Sequence, residues 1–401
     1  MRKLIVLCVL ALIALSAAAE KPIAVAKVSV DQLRQALAAG RDEPDAEVAQ
    51  QLANMELTER LSTAELARMK AELPGNKAQE ALVALADLSV FLDPPAAEVP
   101  ADAMPDVAAA HQMLAQIVNY VNTIVHQLPN FIAMRDTTGF EDRPAEDIQQ
   151  ANAVVSLSYL PLHVAGRSGA MVTYRDRQEV VDDAKSKARA HGPQAQGLQT
   201  GGVFGPILTA VVGDALKGKI TWHGWERGAN GNEAVFHYAV AKEKSSYVVR
   251  FCCLDPGLSD VYDSVFHEVA AYHGDIAFDP ASGAIFRMTV EAEMPPNEVV
   301  SAAGMVVEYG PVEIGGKTYT CPVKSVSILK AHTALPPKGM RMASSYEGPA
   351  KTFLNDVAFG QYRRFGTETR ILTGGGLAPD QPNGPASADS PYAAPGRAPT
   401  H

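Results

Sequence analysis

Two-residue alternation is the feature that most limits the folds open to this chain. Phe236, Tyr238 and Val240 alternate with residues that include His237. Tyr272, Ile276 and Phe278 share one strand face, and Phe286, Met288 and Val290 oppose Arg287, Thr289 and Glu291. Successive side chains of a strand point to opposite sides, so the pattern calls for antiparallel strands with one buried face. It predicts strands over 153–164, 169–181, 219–227, 233–241, 246–253, 265–278, 284–293, 304–314 and 317–332. Asp279-Pro280-Ala281-Ser282-Gly283 and Gly315-Gly316 supply hairpin turns. A helix near Val203–Leu216 interrupts the strands, after a polar, Gly-containing loop at 182–202.

The front of the chain has helical spacing instead. Ser29 with Gln32, and Ser62 with Glu65, are capping-box pairs. Asn76, after the Pro74-Gly75 break, is placed to cap a helix whose Leu82, Leu85, Leu88 and Leu92 fall on one stripe. Residues 20–92 therefore read as a small helical region packing its own Leu and Ala. Residues 93–105, rich in Pro, Ala and acid, read as a linker. An amphipathic helix follows to about Leu128, with Leu114, Ile117, Val118, Val121, Ile124, Val125 and Leu128 on its apolar side. Its polar side lacks Lys and Arg, which suits a sheet cover better than a membrane surface. Residues 106–373 thus form a helix-plus-sheet domain. Residues 374–401, rich in Gly and Pro, are expected to be a disordered tail. The fold class is α+β: a helical N-terminal region, then a large twisted antiparallel sheet or half-barrel with helices on one face.

Residues 1–19 have the order of a secretory signal peptide. Arg2 and Lys3 precede an apolar run, Leu4–Leu15, and small residues lead to a cut after Ala19. The run is shorter than the roughly twenty residues a spanning helix needs. The predicted location is periplasmic or secreted, with no transmembrane segment in the mature chain. Cys8 follows Leu7 rather than standing at a small-residue cut, so no lipid anchor is read. The formal charge of −10 becomes −12 once Arg2 and Lys3 leave. An acidic exported chain disfavours nucleic acid and anionic membranes.

Familiar catalytic spacings are missing. In His267–His273, HEVAAYH, the position for a second zinc-helix histidine is Ala271. On one strand His267 and His273 would lie about 20 Å apart. Ser327 and Lys330 match S-x-x-K, but on a strand they face opposite ways. Asp255, Asp260 and Asp263 lack EF-hand spacing, and Glu291 and Glu293 read as a wet strand face. No phosphate loop and no G-x-S-x-G occurs. No catalytic residue, metal or cofactor is expected. Trp222 and Trp225, three apart on a strand, are expected on opposite faces.

Three cysteines remain after the signal: Cys252, Cys253 and Cys321. Cys253 shares a strand face with Val249 and Phe251, and Cys321 with Tyr319 and Val323. Cys253–Cys321 is therefore the better-matched disulfide, against the alternative of three reduced, buried thiols. Pro322 marks an edge or a bulge.

The strand region resembles a family of uncharacterised secreted bacterial proteins. The residues that carry this are Phe204-Gly205-Pro206, Trp222 with Trp225-Glu226, Ala234-Val235-Phe236 with Tyr238, and Tyr272-His273-Gly274-Asp275-Ile276. They continue through Asp279-Pro280, Gly283, Ile285, Arg287, Val307-Glu308-Tyr309-Gly310 and Ile314-Gly315-Gly316-Lys317-Thr318-Tyr319. The hairpin around Asp279–Gly283 is also similar to the periplasmic lipoprotein-carrier fold and its stress-sensor relatives. That second resemblance implies a curved half-barrel with helices in its concave side, binding acyl chains or proteins. The expected function is a non-catalytic envelope protein that binds an apolar ligand, a lipid or acyl chain, or an exported polypeptide. Phe236, Tyr238, Tyr272, Ile276, Phe278, Phe286 and Met288 are the candidate ligand face. The alternatives are an envelope scaffold with a filled sheet face, and then a hydrolase. An open or a filled face separates the first two.

Overall fold

Alternation of the kind seen at Phe236–Val240 builds one ten-stranded antiparallel sheet. The computed structural model describes residues 25–150, 153–176, 178–181, 203–228, 231–251, 266–296, 298–332 and 349–365. The signal segment, the 182–202 loop, Cys252, Cys253, Asp255, Asp260, Asp263 and the 374–401 tail lie outside these residues.

The helices are α1 (Val30–Ala39), α2 (Asp45–Ala53), α3 (Thr63–Glu72), α4 (Asn76–Leu88), α5 (Val107–Gln127) and α6 (Pro206–Ala215). Two short parallel strands, β1 (Ala26–Val28) and β2 (Met55–Leu57), lie among the first of them. The remaining strands begin with β3 (Phe131–Arg143), β4 (Glu146–Gln150), β5 (Ala153–Leu157), β6 (Leu160–Arg175) and β7 (Gln178–Val181). After α6 come β8 (Lys219–Gly228), β9 (Gly231–Val240), β10 (Val248–Phe251), β11 (Phe266–Val269), β12 (Tyr272–Phe278) and β13 (Ile285–Ala292). The last three are β14 (Val300–Ile314), β15 (Lys317–His332) and β16 (Ala350–Arg364).

The sheet order is β7-β6-β3-β16-β15-β14-β13-β12-β9-β8, so among the described residues the sheet is open, with β7 and β8 as edges. β12 through β16 run as a meander. β16 then pairs with β3, from Phe353 opposite Glu141 to Arg364 opposite Phe131. The β14–β15 hairpin turns on Gly315 and Gly316, both at positive φ, as a tight two-residue turn requires.

α5 and α6 lie on one face of the sheet, as the sequence implies. Ile117 and Val121 of α5 and Leu208, Val211 and Val212 of α6 share a core with Phe131, Phe236, Tyr238, Tyr272 and Val307. The motif Phe204-Gly205-Pro206 starts α6. Gly205 sits at φ 133°, Pro206 opens the helix, and Phe204 packs edge-on to Phe131 and Phe359.

The N-terminal helices add a layer on the opposite face. Their core, with Leu33, Leu52, Leu82 and Leu85, takes in Phe140, Val306, Val326 and Leu354 of the sheet. α4 is enclosed nearly all round, because Val83, Ala84, Ala86 and Asp87 are buried with Leu82 and Leu85. Leu88 and Leu92 of the expected stripe are exposed. A Cβ on Gly304 of β14 would come within 2.5 Å of the Phe91 ring, so only glycine admits this layer so closely.

Local capping is mixed. Ser29 and Gln32 form both bonds of the capping box. Ser62 makes no such bond, and Glu65 turns to Arg34 and Arg68 instead. Asn76 is the first residue of α4 and Gly75 its cap. The capping acceptor is Asp45 of α2, which takes hydrogen bonds from Lys77 N at 3.2 Å and Ala78 N at 2.8 Å.

Candidate functional site: two faces of one sheet edge

The β8–β9–β12–β13 end of the sheet carries two chemically different surfaces. The first is apolar. Phe236, Tyr238, Tyr272, Ile276, Phe278 and Met288 are each 0–4 % exposed and belong to the core shared with α5 and α6. Phe236 stacks on Phe278 at 5.3 Å, and Tyr238 meets Tyr272 edge-on at 5.8 Å. Phe286 stands apart. β12 and β13 slip register between Ala277 and Phe278, so Arg287 pairs with Ala277 and Ile285 with Phe278. Phe286 is the extra residue of this bulge and is half-buried, while Ile285 takes the core position.

A bulge also changes the tryptophans. Trp222 pairs with Phe236 and Trp225 with Ala234, leaving His223 as the inserted residue. Both indoles therefore lie on the apolar face, 5.0 Å apart and edge-on, instead of on opposite sides. The Trp225 indole N–H donates to Ala103 O at 2.9 Å, and Asn232 bonds Asp102. The stretch 93–105 is thus held against β8 and β9.

The two covering helices are fixed differently. Asp214 of α6 accepts from Ser246 N at 2.7 Å, Ser246 Oγ at 2.6 Å and Tyr272 OH at 3.2 Å. Burial works against its charge, but bonds from Ser246, Lys217 and Tyr272 hold its carboxyl below the usual aspartate range. α5 is seated chiefly by Ile117 and Val121, with Gln116 Nε2 donating to Ala281 O at 3.0 Å. That acceptor lies in the Asp279–Gly283 turn, where Asp279 receives Ala281 N, Ser282 N and Ser282 Oγ. Gly283 has φ 75°, and a Cβ there would lie 2.4 Å from the Gln116 carbonyl carbon. The D-P-x-x-G turn thus serves as the seat of α5.

Cys321 is buried in the same apolar core, and burial pushes its thiol up to about 12. The bulge expected at Pro322 is present: β15 spends one extra residue, Val323, between its pairings with Glu308 and Tyr309.

The second surface is polar and faces the N-terminal side. His237 Nδ1 is 2.8 Å from Asp275 Oδ1, and His223 Nδ1 is 3.9 Å from the same oxygen. His223 Nε2 lies 3.3 Å from Asp93 Oδ1. The His273 ring is 5.8 Å from that of His237, and His273 Nδ1 is 3.9 Å from Glu293 Oε1. Desolvation raises the Glu291 carboxyl, and Asp275 adds to the effect against His273 and His237. Sequence spacing missed this group because its members come from β8, β9 and β12. The available signal was that His237 and His273 both fall opposite core aromatics on predicted strands.

Deeper on that face, Arg287 Nη2 donates to both Glu226 oxygens at 2.9 and 2.8 Å, and Arg60 pairs with Glu226 at 2.5 Å. Glu233, opposite Glu226, is pushed up to about 7 by burial and by Glu226. Lys324 Nζ meets the buried Asp87 at 2.7 Å. These pairs join the helical layer to the sheet. Ser327 is buried and Lys330 exposed, so the S-x-x-K pair is separated. No helix of the described residues is long and apolar enough to cross a membrane.

No protein-family model and no curated protein matches this sequence. Among solved structures, the chain is similar to a DUF1329 family protein from Desulfovibrio piger. The identity is 8 % and the TM-score 0.27, covering 65 % of this chain and 94 % of that one. It is also similar to a LolA superfamily protein from Nitrosomonas europaea. There the identity is 6 % and the TM-score 0.25, covering 65 % of this chain and 97 % of that one. Both are likenesses of fold alone.

Proposed function

We propose that this chain is a non-catalytic, exported envelope protein that binds an apolar chain, a lipid or acyl group, on the sheet face beneath α5. The observation that carries the reading is the contrast between the two covers. α6 is tied down through the buried Asp214 carboxylate, whereas α5 rests chiefly on apolar side chains, with polar contacts from Gln116 to the 279–283 turn and from Tyr120 to Thr320. Lifting α5 would open the core it shares with Phe236, Phe278 and Met288, an aromatic and aliphatic surface suited to a flexible hydrocarbon. Ile117 and Val121 then act as stand-ins for ligand, filling the face while it is free.

A second reading has its own support. The face is filled, with all six core members of the candidate set nearly inaccessible. A permanently filled face suits a scaffold that binds partners on its outer surfaces.

One experiment separates them. N-phenylnaphthylamine is titrated into the full chain and then competed with palmitate. The measurement is repeated with cysteines at positions 116 and 281, oxidised to lock α5 to its seat. Saturable, palmitate-displaced fluorescence that vanishes on locking and returns with reductant supports the carrier. Absence of saturable binding, or binding indifferent to the lock, moves the assignment to the scaffold.

A further inference from the structure

We infer that His223, His237 and Asp275 form a binding site for a divalent transition metal of the zinc class. The three side chains come from adjacent strands, β8, β9 and β12, and project from the face opposite the apolar core. Their ligand atoms all lie within 4.8 Å of one another. Two of the separations, 2.8 and 3.9 Å to Asp275 Oδ1, bracket the roughly 3.4 Å between ligands that metal bonds of about 2.1 Å imply. Small rotations of half-exposed imidazoles close the remainder. Two neutral imidazoles and one carboxylate suit zinc, or iron or copper of similar charge, better than calcium or magnesium, which prefer oxygen donors.

Two features raise this above a chance pairing on a wet strand face. His223 is the inserted residue of the β8 bulge, a device that re-aims a side chain. Its second nitrogen, Nε2, faces Asp93 at 3.3 Å. A ligating histidine commonly gives its other N–H to a carboxylate, which fixes the tautomer and strengthens the donor. Side-chain exposures of 36 %, 37 % and 21 % for His223, His237 and Asp275 leave the site open to entry. Spacing along the chain offers no metal motif here; cross-strand register does.

The test uses untagged full chain and zinc chloride alone. The expected result is one zinc per chain with micromolar or tighter affinity. The zinc X-ray absorption spectrum should show nitrogen and oxygen donors with two imidazoles. His237→Gln and Asp275→Asn should each lower affinity at least tenfold, and Asp93→Asn should lower it several-fold with the stoichiometry kept. Sulfur donors in the wild-type spectrum would place the ion at cysteine instead and overturn the assignment. So would the absence of stoichiometric binding, or affinity unchanged in both ligand variants. The wild-type spectrum decides even where a variant fails to fold.

Discussion

At the scale of single residues, buried charge sets the clearest pH response. Glu233 titrates near 7 in the folded chain, against 4.5 for an ordinary glutamate, because burial and Glu226 disfavour its anion. Between those values the folded chain holds a proton that the unfolded chain has released. Glu233 therefore costs stability progressively as pH rises from about 4.5 to 7. Glu233→Gln keeps the neutral form at every pH. It should match the wild type near pH 4.5 and exceed it by about 1 kcal/mol at pH 8, a figure reduced for partial solvent screening. Urea unfolding at the two pH values checks this, and equal curves at pH 8 would count against it. The sequence could not announce this group. No spacing along the chain marks Glu226 and Glu233, and only the sheet and the helical layer packed on it bring Arg287 and Arg60 to Glu226. His223 was hidden for a similar reason: a bulge is a backbone event with no side-chain pattern of its own.

At the scale of elements, legibility followed the number of faces an element buries. α5, with one apolar side, was read correctly in kind and near its end. The β12–β13 and β14–β15 hairpins were marked by their turn residues. β3 and β16 fell outside the predicted strands. Both lie in the middle of a sheet covered on two sides, and β16 buries Phe353 and Leu354 in succession. Covering both faces erases the two-residue polarity that identifies a strand. α4 misled the eye for the same reason, since its buried residues form no single stripe. For α5 the seat is testable. Ile117, 1 % exposed, should cost about 2–4 kcal/mol as Ile117→Ala. Because α5 packs from outside the sheet, hydrogen exchange at 107–127 should accelerate more than at 300–314. Uniform acceleration would mean that α5 opens only with the whole sheet. The proposed Cys253–Cys321 bridge also belongs here. Non-reducing peptide mapping should yield a 253–321 cross-linked peptide, and three alkylated thiols would reject it.

At the scale of the whole molecule, the α+β class and the open antiparallel sheet were accessible from alternation and turns. The use of the opposite face was not. It rests on contacts such as Gly304 against Phe91 and Lys324 against Asp87, whose partners are over two hundred residues apart in the chain. β16 spans a similar separation within the sheet. It lies between β15, its neighbour in sequence, and β3, which left the folding chain long before. Without it the sheet falls into a β7-β6-β3 piece and a β15-to-β8 piece with no hydrogen bond between them. Ending the chain after His332 should abolish cooperative unfolding, read by calorimetry; a single sharp transition would refute this. The order of synthesis then acts as a timer. The β7-β6-β3 piece, made early, cannot be joined to the rest of the sheet until β16 has been made, so an emerging chain stays threadable until then.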